Sequence, residues 1–168
     1  MTVTPQKPLL TFVVGIAGHR TNKLSDDSSL RAKRQLAEVF AAIDAACAAC
    51  LDHDASHYAA DGYRVRLVSS FAEGADQLAV GVRPRHWDVC AVLPFPRERY
   101  EEDFIERDSN GRILSDRREG FRNLLREAAT VVELTEKSRC IPRLAVVVYC
   151  FYVNRDRASG AQGDCVYL

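Results

Sequence analysis

The chain has 168 residues, is 47% apolar and 27% charged, and carries 23 basic against 23 acidic side chains for a formal net charge of zero. Such a composition predicts one soluble globular domain spanning 1–168, and the neutral balance excludes a general electrostatic pull toward nucleic acid or an anionic membrane. Residues 1–8 lack the basic and apolar regions of a signal peptide and no run approaches about 18 apolar residues, so a cytoplasmic location without membrane contact is expected.

In chain order, residues 9–16 (L-L-T-F-V-V-G-I) form a nearly continuous apolar run, which predicts a buried central strand. Asp26, Asp27, Ser28 and Ser29 offer helix-start chemistry. After them Leu36, Val39, Phe40, Ile43, Cys47, Cys50 and Leu51 recur at helical spacing, with Lys33, Arg34 and Glu38 on the outer side. Asp61-Gly62 marks a turn before a second strand at 65–68. A helix opening around Gly74 or Ala75 presents Leu78, Ala79 and Val82 on one face and closes before Pro84.

Residues 88–93 (D-V-C-A-V-L) predict a third strand, stopped by Pro94-Phe95-Pro96. Residues 97–107 are helix-prone, and Phe121, Leu124, Leu125 and Ala128 define a later amphipathic helix. Further strands are expected at 131–134 and 144–153. Strands alternating with helices imply a layered, mostly parallel sheet.

Two breaks in this pattern carry the chemistry. Gly15-Ile16-Ala17-Gly18-His19-Arg20 and Ser69-Ser70-Phe71-Ala72-Glu73-Gly74-Ala75-Asp76 each follow an apolar strand and precede a helical pattern. Ligands of open α/β sheets bind at the carboxyl ends of strands, and helix-start N–H groups point at anions placed there. Gly15 and Gly18 would let the first turn pass beneath a phosphate, and Arg20 would clamp its oxygens. Ser69 and Ser70 can donate, Gly74 suits a close-approach turn, and Glu73 and Asp76 can accept from ribose hydroxyls; ordinary helix capping explains the same cluster. Pro94 and Pro96 fix the exit of the third strand and turn Phe95 or Arg97 toward the same end, where a base would stack. Tyr100 and Phe104, one turn apart, together with Asp103 read as packing residues. His19 is a lone imidazole, weak support for acid–base work.

The six cysteines, Cys47, Cys50, Cys90, Cys140, Cys150 and Cys165, are scattered and read as free thiols. Cys47, Cys50, His53 and His57 have the residue types of a zinc site. On a continuing helix, however, they spread over roughly 15 Å, against Zn bonds of about 2.0 to 2.3 Å. No metal and no cofactor are expected. The G-x-x-x-x-G-K-[ST] and G-x-G-x-x-G fingerprints are both absent.

Three blocks carry a family resemblance: the G-I-A-G-H-R turn at 15–20, V-S-S-F-A-E-G-A-D-Q-L at 68–78 and V-L-P-F-P-R-E-R-Y-E-E-D-F at 92–104. Over residues 12–134 the chain resembles the SLOG superfamily, which includes DNA-processing protein A and the Lonely-guy phosphoribohydrolases, and is most similar to its bacterial G-H-R subgroup. The resemblance implies an α/β, three-layer Rossmann-like fold with a mostly parallel sheet flanked by helices. It also implies a site for a nucleotide or nucleotide-derived ligand, a proposed signal in stress or defence systems. The chain departs from the family in lacking the P-G-G-x-G-T-x-x-E catalytic motif, and Val80 stands where the DNA-processing pattern has histidine. Residues 138–168 also diverge; a truncation or an altered reading frame after Lys137 would account for that, and Ser159-Gly160-Ala161-Gln162-Gly163 reads as a polar tail.

The expected function is therefore binding or sensing of a nucleotide-derived small molecule, with a homo-oligomer or an effector partner left open. One alternative is N-glycosidic or phosphoester hydrolysis, with Glu73 or Asp76 as the catalytic carboxylate and Arg20 on the phosphate. A second is a nucleic-acid-binding module, which would show a basic stripe continuous with Arg20 and Arg97.

Overall fold

The computed structural model describes residues 7–18, 20 and 25–134. Strand β1 (Leu10–Gly15) leads to helix α1 (Asp26–His53), then β2 (Tyr63–Ser69), α2 (Ala75–Val82) and β3 (Asp88–Leu93). Helix α3 (Arg97–Glu101) passes through a 3-10 turn (Glu102–Phe104) into a hairpin of β4 (Ile105–Arg107) and β5 (Ile113–Asp116). Helix α4 (Arg118–Arg126) and strand β6 (Thr130–Glu133) follow. Strands β1, β2, β3 and β6 form one sheet in that order with every pairing parallel, an α/β architecture consistent with a three-layer Rossmann-like fold.

Local chemistry sets the helix boundaries. The Ser25 side chain accepts from the Ser28 N–H at 3.2 Å, and Asp26 and Asp27 sit on the positive end of the α1 dipole. Phe40 and Cys47 are buried on the inner stripe of α1, with Leu36 and Ile43 packed beside them. Asp44 on the same helix accepts from Tyr63 Oη at 3.2 Å and Trp87 Nε1 at 2.8 Å, tying α1 to the starts of β2 and β3. Burial, with the Asp44 charge adding to it, pushes the Cys47 thiol up to about 11. Because α1 runs on through His53, Cys47 lies in the core while Cys50 and His53 face outward.

The strand readings at 65–68, 88–93 and 131–134 correspond to β2, β3 and β6. Strand β1 differs from the expected continuous burial. It lies at the end of the described strand order, and burial alternates along it: Phe12 and Val14 pack on the core while Val13 is 63% exposed. The helix expected over 97–107 stops after one turn. Ile105 pairs with Asp116 across the hairpin instead, and Asp108 Oδ1 closes the connecting turn by accepting from Asn110 N and Arg112 N at 2.9 Å each. The hairpin folds Phe104 back under α4, where its ring stacks on Phe121 at 4.5 Å and both rings meet Tyr100 edge-on.

No helix among the described residues is long and apolar enough to cross a membrane. The strand expected at 144–153, Cys140, Cys150, Cys165 and the Ser159-to-Gly163 stretch lie outside the described residues.

Candidate functional site

Both glycine-containing loops leave the carboxyl ends of neighbouring strands, since Gly15 at the end of β1 pairs with Val68 near the end of β2. The register therefore carries the two loops out side by side. They then touch. A Cβ built on Gly18 would collide with the Cβ of Ala75, the first residue of α2, so the first loop crosses directly against the start of that helix. Gly18 owes its place to this close approach. Gly15 is the last residue of β1 and pairs within the sheet; His19 lies outside the described residues.

The second loop is a rigid object built from its own side chains. Buried Asp76 accepts through Oδ2 from Ser69 Oγ at 2.9 Å, Ser70 N at 3.0 Å and Ser70 Oγ at 2.9 Å. Ser69 Oγ in turn accepts from Phe71 N at 3.0 Å, and Gln77 Nε2 donates to Phe71 O at 3.2 Å. These bonds hold Phe71 at φ 59°, a left-handed conformation that costs a non-glycine residue about 1 to 2 kcal/mol, with its ring fully buried. Gly74 follows at φ 99°, ψ −126°, a region open essentially to glycine alone. It caps α2 without contributing a side-chain acceptor to the first turn of the helix.

Charged groups ring this turn in matched pairs. Arg20, 57% exposed, donates from Nη2 to Asp103 Oδ2 at 2.9 Å. That hydrogen bond raises the Arg20 pKa against the opposing effect of partial burial, with the Asp103 charge, Tyr100 and Glu73 adding to it. Arg20 thus sits in the field of residues from both the second loop and α3. The Glu73 carboxylate, only 15% exposed, is ion-paired with Arg117, whose guanidinium also stands 3.8 Å from Glu106 on β4. Tyr100 is buried, which pushes its phenol pKa up; a hydrogen bond with Ser70 opposes the shift.

The third block is placed near the same end of the sheet but its cation is engaged elsewhere. Arg97 Nε donates to Glu101 Oε1 at 2.9 Å, and the Arg97 N–H donates to Glu133 Oε2 at the end of β6. Glu101 is buried, and its hydrogen bond from Arg122, joined by Arg97, lowers its pKa despite the desolvation that opposes it. Pro94 is exposed, while Phe95 packs against the core with the Arg99 guanidinium 4.5 Å above its ring.

The structure thus brings Gly18, Arg20, Ser69, Ser70, Glu73, Gly74 and Asp76 together and leaves Arg97 tied into an arginine–glutamate–arginine bridge. Three residues beyond the sequence-derived set belong to this cluster: Tyr100, Asp103 and Arg117. Tyr100 and Asp103 stood in the third block, where helical spacing favoured packing over recognition. Nothing in the local sequence around Arg117 marks it. Among the described residues no group of three or more His, Cys, Asp or Glu is disposed to hold a metal ion. A separate cleft of about 330 Å³ opens on the outer side of α2 between Lys33, Gln77, Gly81 and Leu124.

Comparison with protein-family models, with curated proteins and with solved structures finds no match to this chain.

Proposed function

We propose that the chain is a SLOG-like binding module that takes a nucleotide or nucleotide-derived ligand at the carboxyl ends of β1 and β2. The observation that carries this reading is the contact of Gly18 with Ala75, which lays the first loop across the start of α2 beside an N-cap that offers no side-chain acceptor of its own. A phosphate there would accept from the leading N–H groups of α2 and exchange with Asp103 for the Arg20 guanidinium.

Binding is favoured over hydrolysis because both candidate carboxylates are engaged. Asp76 Oδ2 accepts three hydrogen bonds from its own loop and Glu73 is ion-paired with Arg117, so both carboxylates are held in structural roles. A small ligand is favoured over nucleic acid because Arg20, Arg97 and Arg117 are each matched to a carboxylate rather than aligned in a stripe.

The test is calorimetric titration against mono-, di- and cyclic nucleotides, comparing wild type with Arg20→Ala. The substitution is expected to weaken binding by about 1.5 to 3 kcal/mol, the range for a charge-assisted hydrogen bond, and to cost at most about 1 kcal/mol of stability because the ion pair is exposed. Unchanged affinity for a nucleotide that wild type binds would remove Arg20 from the site, and no binding across the panel would reject the proposal.

A further inference from the structure

The cleft beside α2 is a second concave site that the two loops do not use. Gln77, Leu78, Gly81 and Val82, three and four positions apart, bring one face of α2 to it, while α1 adds Lys33 and α4 adds Leu124, framing about 330 Å³. That volume lies at the lower end of the range for small-molecule sites. Leu78, Val82 and Leu124 make its walls apolar, and the last two are anchored by packing on the core. Gln77 is held in place by donating from Nε2 to Phe71 O at 3.2 Å.

Two residues of this lining are not explained by the fold. Gly81 stands inside α2, where glycine weakens a helix relative to alanine, yet a Cβ built on it would meet no atom within 4 Å. Packing therefore does not require glycine there; the missing side chain leaves the cleft open. Lys33 is the one charged residue among those that line it, and its ammonium makes no hydrogen bond or ion pair with any described residue.

We propose that the cleft binds a small amphipathic carboxylate, with its apolar body over Gly81 between Leu78, Val82 and Leu124 and its carboxylate on Lys33. Charge selects an anion, because a carboxylate meets an uncommitted cation there without first displacing a partner. Size selects a small molecule over a second protein, since specific protein interfaces bury about 1,200 Å² or more and three apolar side chains fall far short of that. The inference is independent of what the loops bind.

Octanoate titrated into the isotope-labelled, full-length chain and followed by backbone amide shifts tests it. Saturable shifts are expected at Lys33, Leu124 and residues 77–82. Two variants leave the fold intact, because Gly81→Leu places a side chain in open space with a better helix former and Lys33→Gln breaks no contact. Gly81→Leu is expected to fill the cleft and abolish saturation. Lys33→Gln is expected to weaken octanoate about fivefold, the scale of one exposed ion pair, and to leave the uncharged octanol unaffected. Shifts that do not saturate, that lie away from these residues or that persist in Gly81→Leu would overturn the inference, as would octanoate affinity retained in Lys33→Gln or lost equally with that for octanol. Shifts at the same residues that follow protein dilution and not octanoate would assign the cleft to a second copy and equally overturn it.

Discussion

Gly18 and Ala75 meet with no room for a Cβ between them, although 57 positions separate them in the chain. This contact is the joint between the two loops. Replacing Gly18 by alanine forces the first loop off the start of α2, and overpacking of this kind costs about 1 to 3 kcal/mol. Gly18→Ala should therefore lower the urea midpoint, and adding Ala75→Gly should recover part of the loss, because removing one of the two colliding methyls relieves the other. An unshifted midpoint for Gly18→Ala would mean that the loops are not in contact.

Asp76 supports the second loop from inside. Its replacement by alanine strands the Ser69 hydroxyl and the Ser70 N–H and hydroxyl, and releases Phe71 from its left-handed conformation. Hydrogen bonds to a buried carboxylate are worth about 1.5 to 3 kcal/mol, so Asp76→Ala should destabilise the fold by about 2 to 4 kcal/mol. Denaturant unfolding measures this. A stable Asp76→Ala protein would assign the carboxylate to ligand chemistry instead of loop architecture.

How much of this was legible beforehand depends on how far apart the interacting residues lie in sequence. The loops at 15–20 and 69–76 are marked by apolar runs that end in glycine, and the helical stripe from Leu36 to Leu51 is long enough to be unmistakable. The hairpin of β4 and β5 was hidden because its strands are three and four residues long and Ile105 continues the helical spacing from Glu101. The Asp108-to-Gly111 turn was the available signal. Arg117 was hidden for another reason: its carboxylate partner Glu73 lies 44 positions away, and only the folded hairpin brings it back. Spacing likewise placed Arg97 at the right end of the sheet without showing that Glu101, one helical turn on, already holds it.

Acid sensitivity follows from that bridge. The Arg122 hydrogen bond, with Arg97, holds the Glu101 carboxyl below the ordinary value of 4.5 in the folded chain. A depressed folded pKa contributes stability that is fully present above the unfolded value and is lost as pH falls through the folded one. Wild type should therefore lose urea stability progressively below about pH 4.5, and Glu101→Gln, less stable at neutral pH, should show a shallower acid slope. Parallel slopes for the two proteins would show that the bridge does not set the acid response. Asp116 is held down to about 2 by its Arg118 hydrogen bonds, but it is exposed and adds little.

Glu73 separates a sensor from an enzyme. A catalytic carboxylate must face the bond being broken with a lone pair free, and its removal changes rate by orders of magnitude, whereas a recognition or structural carboxylate changes affinity or stability. The Glu73 carboxylate is only 15% exposed and its Oε1 is held by Arg117, which ties the second loop to the hairpin. Glu73→Gln should accordingly weaken that tie by no more than about 3 kcal/mol, the upper end for one charge-assisted bond, and leave nucleotide consumption at zero in mutant and wild type alike. Incubation with nucleoside monophosphates and dinucleotides, followed by chromatography for free base and phosphate, makes the comparison. Steady turnover by wild type that disappears in Glu73→Gln, with the fold intact, would make the chain a hydrolase in which Arg117 positions the catalytic acid or base.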